Sequence, residues 1–319
     1  MNKEYLAAVL GLVVGDALGV PVEFKTREEI KKNPVTGMLG YGTHNQPAGT
    51  WSDDSSMAIA TIDWLSEMKD GRPDYRCLMD KFCRWLAKGD YTPYQNVFDC
   101  GIATNQAIFK YCKDIEPLEC GGKAEYDNGN GSLMRILPAA LWCSENLAGE
   151  DMNGAEFIYQ VSSVTHGHLR SKMGCLIYSK IIADLLHAEH RDKLELVEKS
   201  LSSCRNYFER AQEEETSFEK QTYARLWDLK EFVQLEEWAI KSSGYVVDTL
   251  EAAIWCFLNT DSYRDCVLKA VNLGNDTDTV GAVAGGLAGL YYGMESIPEE
   301  WLNVIPKREW ITELVNKMV

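Results

Sequence analysis

Two short acidic clusters stand far apart in this sequence of 319 residues. Near the C-terminus, Asp276 and Asp278 occupy positions i and i+2, and Thr279 follows the second carboxylate. Because apolar segments flank them, the two carboxylates would repel each other and resist ionisation unless a cation held them. Oxygen ligands without nearby cysteine or histidine favour Mg²⁺ or Mn²⁺ over Zn²⁺. The alternative is a turn that caps a helix, because Asp and Thr are favoured at helix N-termini.

The second cluster, near the N-terminus, has a similar composition. Ser52 is followed by Asp53 and Asp54, at the start of an apolar run with helical spacing. Together the two clusters supply four carboxylates and at least two hydroxyls. Such a set can hold two hard cations close together and still leave ligand positions for water or substrate. The pair therefore predicts a binuclear metal site more strongly than either cluster does alone.

A third segment, 128–131, reads Asn-Gly-Asn-Gly and precedes Ser132 and a helical run. Its glycines let the backbone approach a ligand closely, and free amides at a helix start suit an anion such as a diphosphate. A simple Asn-Gly turn before a helix is the alternative.

Two histidines, His166 and His168, flank a glycine ahead of another apolar helix. Metal ligation by both would not match the all-oxygen clusters, because imidazole is a softer ligand than carboxylate. A hydrogen bond from His166 to a phosphate or ribose fits better. The alternative is that Thr165 caps the helix and the rings are merely polar and half-exposed.

The elements that must position these residues read as helices. The first apolar segment, Glu4 to Phe24, has helical spacing and carries a glycine at every fourth position: Gly11, Gly15 and Gly19. These glycines predict close contact with another helix. Asp16 in this segment is predicted to accept hydrogen bonds between helices or to support the site from behind. Glu23 is a candidate acid of the site, although a lone glutamate is by default a surface residue.

Other segments with helical spacing are 57–65, 77–86, 97–111, 173–186, 245–258, 266–273 and 280–292. Residues 26–49, rich in proline and glycine, are predicted to form a loop. Residues 187–245, with the acidic run Glu213–Glu215, are predicted to form a peripheral helical element. No segment alternates with a period of two, and no repeat is evident. The fold class is therefore predicted to be all-α, a compact bundle of many helices in a single domain, 1–319.

Composition narrows the classes of function. A hydrophobic content of 45% describes an ordinary globular protein, and the formal charge of −16 argues against binding to nucleic acid or an anionic membrane. Ten cysteines without a C-x-x-C pair predict reduced thiols. Residues 6–14 look like a signal-peptide core, but Glu4, Asp16 and the lack of an A-x-A site argue against export. No run approaches the ~18–20 apolar residues of a membrane span. A cytoplasmic location is predicted.

Taken together, the motifs resemble those of the ADP-ribosylglycohydrolases. This family includes the dinitrogenase-reductase-activating glycohydrolase and the ADP-ribosyl-acceptor hydrolases. The matching segments are 15–19 with Glu23, 50–57, 128–135, 165–168 and 274–279. They occur in the order found in the family and cover nearly the whole chain. The resemblance implies an all-α orthogonal bundle with two Mg²⁺ or Mn²⁺ ions where loops converge, and hydrolysis of the glycosidic bond between ADP-ribose and an acceptor.

The resemblance also implies roles for individual residues. The implied metal ligands are Ser52, Asp53, Asp54, Asp276, Asp278 and Thr279. The implied phosphate- and ribose-binding residues are Gly129, Asn130, Gly131, Ser132 and His166. The implied catalytic residues are Glu23, Asp54 and Asp127, and the sequence does not rank Glu23 and Asp127 as acid or base. Ser52 and Ser55 stand where the family usually has threonine, so the hydroxyl is kept and the methyl that fixes its rotamer is lost.

The acceptor is the least specific part of the prediction. The motif 128–135 and the short loops resemble the bacterial arginine-directed members, which favours ADP-ribosylated arginine on a protein as substrate. ADP-ribosyl-serine, a modified nucleobase and a small ADP-ribosyl metabolite stay open. A non-catalytic relative, such as the lens crystallins of this fold, is disfavoured by the intact carboxylates. A metal-dependent phosphohydrolase would use similar ligands. The sequence does not indicate the oligomeric state.

Overall fold

The structure, a computed structural model, describes residues 3–68, 71–147, 154–188, 192–211 and 214–318. Across these ranges the regular structure is helical and no strand forms, which confirms the all-α prediction. The α-helices are α1 (Lys3–Gly19), α2 (Arg27–Lys32), α3 (Asp53–Ser66), α4 (Tyr75–Lys88), α5 (Ile102–Tyr111), α6 (Pro117–Cys120), α7 (Leu137–Asn146), α8 (Ala155–Ser163), α9 (Leu169–His187), α10 (Lys193–Arg210), α11 (Glu214–Thr222), α12 (Leu229–Val233), α13 (Val246–Leu258), α14 (Tyr263–Val271), α15 (Thr277–Tyr292), α16 (Glu299–Leu302) and α17 (Arg308–Met318). Short 3₁₀ helices cover Val20–Val22, Glu125–Asp127, Ala224–Trp227, Glu237–Ala239 and Met294–Ser296.

Helices α1 and α15 cross so closely that only glycine fits between them. A Cβ atom at Gly15 would lie 2.0 Å from the carbonyl oxygen of Gly281, and one at Gly11 would lie 2.4 Å from that of Gly285. Both distances are far below van der Waals contact, so the backbones themselves touch. The glycine spacing therefore predicted the contact correctly, and its partner is the helix that follows the C-terminal acidic cluster.

The length and composition of the N-terminal helix require one correction. The stretch Lys3–Val22 is long and apolar enough to cross a membrane, contrary to the expectation that no run approaches that length. Every residue of its most apolar window is buried inside the protein. A buried core helix meets the same criteria of length and composition as a membrane span, and burial is what the structure shows for α1.

Two helix boundaries near the site differ from the prediction. Residues 26–49 contain the short helix α2, whose start is a capping box: Thr26 Oγ1 accepts from the Glu29 amide, and the Glu29 carboxylate accepts from the Thr26 amide. The T-x-x-E pattern is a known helix-start signal. Helix α5 begins at Ile102, five residues later than predicted from the segment 97–111. The residues before it form an irregular segment, and Asp99 in this segment lies beside Glu23.

The described part of the range 187–245 contains helices α10 to α12 and two short 3₁₀ helices. Helix α10 buries one face, formed by Val197, Leu201, Cys204 and Phe208, and it packs against α9. A buried ion pair between Arg170 Nε and Glu219 Oε2, 2.6 Å apart, ties α11 to the start of α9. Residues 189–191 and 212–213, including Glu213 of the predicted acidic run, lie outside the described residues.

Candidate functional site

The structure brings the two acidic clusters together. One carboxylate oxygen from each of Asp16, Asp54 and Asp278 lies within 4.8 Å of the other two. Thr279 Oγ1 lies 3.4 Å from Oδ2 of Asp54, across 225 residues of sequence. The two clusters meet because α3 and α15 both pack on α1 and begin at the same end of it. The N-termini of α3 and α15 thus form one wall of the site.

A second group of carboxylates shares Asp278 with the first. Oxygens of Glu23, Asp276 and Asp278 also lie within 4.8 Å of one another. Glu23 is held there by two backbone hydrogen bonds: Phe24 N donates to Asn275 O, and Asn275 N donates to Lys25 O, both at 2.7 Å. Phe24 and Asn275 have φ values of 64° and 63°. This conformation is costly for a phenylalanine, by roughly 1–3 kcal/mol, and the surrounding contacts must maintain it.

Asp16 organises the first turn of α3. Its carboxylate accepts from the Ser52 amide at 3.0 Å, from the Ser55 amide at 3.0 Å and from Ser55 Oγ at 2.5 Å. These amides belong to the turn that has no helical partners of its own. Asp16 is fully buried, and burial raises the pKa of its carboxyl to about 6. Asp16 thus accepts hydrogen bonds between α1 and the start of α3, which is one of the two roles that the sequence predicted.

The electrostatics of the site are dominated by unneutralised carboxylates. Burial, and then repulsion from neighbouring carboxylates, raises the pKa values of Asp53, Asp54 and Asp278 well above their ordinary range. Burial also raises the pKa of Asp276. Within the described ranges, no lysine or arginine forms an ion pair with any of these four residues. Ionised together, they require a cation.

The chemistry of the donor set fits a hard divalent ion. Asp54 Oδ2 accepts from Ser52 Oγ at 2.9 Å, but Asp54 Oδ1 is buried and accepts no hydrogen bond. An orphaned buried carboxylate oxygen is rare in proteins unless an ion or water binds it. The other oxygens at hand are hydroxyls and carboxylates, and no cysteine belongs to these carboxylate groups. Mg²⁺ and Mn²⁺ are the ions that such a set prefers.

The Asn-Gly-Asn-Gly segment lies on the C-terminal acidic cluster. Asn130 Nδ2 donates to Asp276 Oδ2 and to Thr249 Oγ1, each at 2.9 Å. The backbone N–H of Asn130 donates to the carbonyl oxygen of Gly244 at 3.0 Å, and the backbone N–H of Val246 donates to the carbonyl oxygen of Asn128 at 3.1 Å. The segment is therefore a fixed loop, held by the start of α13 on one side and by the acidic cluster on the other.

The ring of His166 lies against the glycines of this loop. A Cβ atom at Gly131 would lie 2.7 Å from the ring's Cε1, and one at Gly129 would lie 3.5 Å from its Nε2. Burial and the nearby Arg135 lower the pKa of His166 to about 3, so the ring is neutral. His168 has a different place: it is the N-cap of α9, and its Nδ1 accepts from the Arg170 amide at 3.2 Å. The alternative, in which Thr165 caps this helix, is therefore wrong.

Two predicted site residues direct their side chains elsewhere. The Ser132 hydroxyl is buried in the core, where it accepts from Ser162 Oγ at 2.9 Å and from Cys175 Sγ at 3.4 Å. Any contact between residue 132 and a ligand would therefore involve its backbone. The Asp127 carboxylate accepts from the Ala124 amide at 2.9 Å and closes a 3₁₀ turn. It belongs to none of the carboxylate groups described above. The roles of both residues stay predictions.

Two residues at the site were missed from the sequence. Atoms of Glu23, His44 and Asp99 lie within 4.8 Å of one another, and His44 Nε2 forms a hydrogen bond with Glu23 Oε2. Burial raises the pKa of Glu23 to about 7, and Asp99 adds to this by repulsion. The Asp99 charge also raises the pKa of Asp53. Both residues lie in irregular segments, and the glycine at position 101, the N-cap of α5, is the signal that could have placed the helix start after Asp99.

Comparisons with known proteins point to one family. The profile of the ADP-ribosylglycohydrolase family matches residues 2–319. The ADP-ribosylarginine hydrolase Tri1 of Pseudomonas putida (strain GB-1) is 32% identical over 316 residues, which cover 98% of this chain and 76% of the relative. The ADP-ribosyl-[dinitrogen reductase] glycohydrolase of Rhodospirillum rubrum is 29% identical over 312 residues, which cover 95% of this chain and 90% of the relative.

A solved structure described as an ADP-ribosylglycohydrolase-related protein complex has the same fold. It superposes with a TM-score of 0.79 at 29% sequence identity, and the superposition covers 99% of this chain and 96% of that one. The resemblance drawn from the five motifs is thereby confirmed over the whole chain. The chain belongs to the ADP-ribosylglycohydrolase family.

Proposed function

We propose that this protein is a Mg²⁺- or Mn²⁺-dependent hydrolase that removes ADP-ribose from arginine on a modified protein. One observation carries the proposal: the carboxylates of Asp54 and Asp278, from two distant motifs, lie close together. In addition, Oδ1 of Asp54 is buried and accepts no hydrogen bond. Similarity to the ADP-ribosylarginine hydrolase of Pseudomonas putida supports the arginine acceptor. The motif 128–135 supports the same acceptor.

The two acidic clusters would hold the metal ions. The residues in question are Ser52, Asp53, Asp54, Asp276, Asp278 and Thr279. When bound, two divalent ions orient the ribose hydroxyls and lower the pKa of a bound water. Four of these residues are carboxylates that form no ion pair with a lysine or arginine of the described chain. Their negative charge is therefore available to bind cations.

Glu23 is the better placed of the two candidates for proton transfer. Cleavage at the ribose C1 passes through an oxocarbenium-like state, which needs a group to take the proton of the attacking water or to protonate the leaving group. Glu23 lies within 4.8 Å of Asp276 and Asp278, while the carboxylate of Asp127 is engaged by a backbone amide. We therefore assign the proton transfer to Glu23, with Asp127 as the second candidate.

The glycine loop would hold the ADP-ribose. Gly129 and Gly131 leave the backbone accessible beside the ring of His166, and a neutral imidazole can donate one hydrogen bond to a phosphate or ribose oxygen. Asn130 joins this loop to Asp276. A ligand held by the loop would therefore place its ribose next to the acidic clusters.

The test is release of free ADP-ribose from defined substrates. Peptides carrying ADP-ribosyl-arginine or ADP-ribosyl-serine, and an ADP-ribosylated oligonucleotide, are each incubated with the protein in Mg²⁺, in Mn²⁺ or in EDTA. We expect release from the arginine peptide, its loss in EDTA and its recovery with excess metal. The variant Asp278→Asn should lose the activity in all conditions, because it removes a carboxylate common to both groups.

Each other outcome has a distinct meaning. Preferential release from the serine peptide or the oligonucleotide would replace the acceptor but keep the reaction. Binding of ADP-ribose without release from any substrate would identify a non-catalytic relative. Release of phosphate from a nucleotide, without release of ADP-ribose, would identify a phosphohydrolase and overturn the proposal.

A further inference from the structure

Arg135 is a buried cation without a carboxylate partner in the part of the chain that the structure describes. It is fully buried, and its guanidinium lies 4.9 Å from the centre of the Phe82 ring. Nη2 donates to Val161 O at 2.9 Å and to Thr165 Oγ1 at 2.7 Å, while Nε and Nη1 have no partner. Burying a charge with so few hydrogen bonds costs free energy, so the hydrogen bonds that Arg135 does form are the place to look for its role.

The contact with Thr165 determines where the hydroxyl proton points. A guanidinium has only donors, so Thr165 Oγ1 must be the acceptor in this hydrogen bond. The hydroxyl proton then needs an acceptor of its own. Among the described residues the remaining neighbour of Oγ1 is Nδ1 of His166, 3.0 Å away. The hydroxyl therefore donates to Nδ1.

This donation selects one tautomer of His166. If Nδ1 accepts a hydrogen bond, the single proton of the neutral ring is on Nε2. The edge of the ring that carries Nε2 faces Gly129 and Gly131, with Thr104 Oγ1 also beside Gly131, and Nε2 forms no hydrogen bond with the described chain. His166 is 2% exposed. An N–H at this place can donate to an oxygen that a ligand supplies.

We propose that Arg135, acting through Thr165, is a positioning residue that holds His166 in the tautomer protonated at Nε2, so that this N–H donates to an oxygen of the ligand at the loop 129–131. The identity of that ligand rests on the proposed function, but the tautomer does not. In the opposite arrangement Nδ1–H would donate to Thr165 Oγ1, and His166 would present a bare lone pair to the loop. A phosphate or ribose oxygen would be repelled by that lone pair.

The tautomer can be read directly by nuclear magnetic resonance without any ligand. The protein is labelled with ¹⁵N at its five histidines, and the His166 ring is assigned by loss of its signals in His166→Asn. Long-range ¹H–¹⁵N correlation distinguishes a protonated ring nitrogen from a bare one. We expect a protonated Nε2, and a bare Nδ1 displaced in the direction of a hydrogen-bond acceptor. A protonated Nδ1 in the wild-type protein would overturn the inference.

A matched pair of variants at position 165 tests the relay. Thr165→Ser keeps the hydroxyl, so the Nδ1 signal should stay as in the wild type. Thr165→Val removes it, so Nδ1 should lose its acceptor displacement and the ring should become a mixture of tautomers. An unchanged Nδ1 signal in Thr165→Val would show that the hydroxyl does not set the ring. Arg135→Met is the third variant. It removes the donor to Thr165 Oγ1, so the ring should again become a mixture of tautomers. The folding of this variant is checked by the dispersion of the amide spectrum.

The link to function is measured separately, by calorimetric titration with free ADP-ribose and by the KM of the hydrolase reaction. Thr165→Val should weaken ADP-ribose binding and raise KM about tenfold, a typical effect of one hydrogen bond to a charged group, with a smaller change in kcat. Thr165→Ser should restore both. If the expected tautomer is found but ADP-ribose does not bind to the wild type, the proposed function fails and the positioning role stands. If ADP-ribose binds equally well to Thr165→Val, His166 does not donate to the ligand.

Discussion

Asn130 Nδ2 donates a hydrogen bond to Asp276 Oδ2, 2.9 Å away, across 146 residues of sequence. This contact joins the glycine loop to the C-terminal acidic cluster. Because Asn130 also donates to Thr249, its amide group is held from two sides. The distance between the loop and the carboxylates is therefore fixed before any ligand arrives, which is a form of preorganisation.

Metal should stabilise the folded protein, and Asp54 should be needed for it. A ligand present at 100 times its Kd stabilises a folded protein by about 2.7 kcal/mol. We therefore expect Mg²⁺ or Mn²⁺ to raise the melting temperature in differential scanning fluorimetry. Asp54→Asn should remove this response and at the same time raise the melting temperature of the metal-free protein, because it removes one of the mutually repelling charges. Asp114→Asn, an exposed acidic residue at a φ of 62°, is the control and should respond like wild type. An unchanged metal response in Asp54→Asn would contradict the assigned ligand.

The stability of the metal-free protein should fall as the pH rises. The folded-state pKa values of Asp16 and Glu23 are raised to about 6 and about 7. A group with a raised folded pKa contributes stability that is present below its unfolded pKa and is lost as the pH rises through the folded value. In EDTA, the melting temperature should therefore decrease from about pH 4 to about pH 7. The increment due to Mg²⁺ should grow over the same range, because protons compete with the metal for the carboxylates. A flat pH profile in EDTA would mean that the carboxylates are not desolvated.

Substitution of the two candidate acids should separate their roles. Glu23→Gln keeps the shape and the hydrogen bond to His44 but removes the titrating group, and loss of a general acid or base costs roughly 10²- to 10⁴-fold in kcat. Asp127→Asn should cost less, because the side chain closes a 3₁₀ turn and its amide oxygen can still accept from Ala124. Steady-state kinetics on an ADP-ribosyl-arginine peptide, with melting curves as a check of folding, measure both. The reverse order of losses would move the proton transfer to Asp127.

The crossing of α1 and α15 should not tolerate a methyl group. In Gly15→Ala the new Cβ would lie 2.0 Å from the Gly281 carbonyl oxygen, so the helices must separate. Overpacking of this kind typically costs about 1–3 kcal/mol. Because Asp16 and Asp278 sit on these two helices, the metal-induced rise in melting temperature should shrink as well. Gly37→Ala is the matched control: its Cβ would meet no atom closer than 3.4 Å, so urea denaturation should give a free energy of unfolding close to wild type.

Much of the site was readable from local pattern. Closely spaced carboxylates next to apolar helical runs indicated the acidic clusters, Asp53 with Asp54 and Asp276 with Asp278. The glycine spacing of α1 predicted a close helix partner. Both signals lie within a few consecutive residues, so they can be recognised without knowing the path of the rest of the chain.

What the sequence did not show depends on tertiary structure. His44 and Asp99 reach Glu23 from irregular segments whose paths follow no periodicity, and Asp99 was assigned to a helix that in fact begins at Ile102. The Ser132 hydroxyl faces the core because Ser162 and Cys175 happen to lie behind it. Which side chain of a motif faces the ligand is decided by such neighbours.

The direct contact of backbone with backbone between the first long helix and the fifteenth has a consequence for biosynthesis. On the ribosome, α15 begins 258 residues after the end of α1. Until α15 has been made, Gly11, Gly15 and Gly19 lack the helix that packs on them, and Asp16 and Asp54 lack the carboxylate of Asp278. The two acidic clusters therefore meet only after α15 has emerged, and a polypeptide that ends before α15 lacks the group formed by Asp16, Asp54 and Asp278.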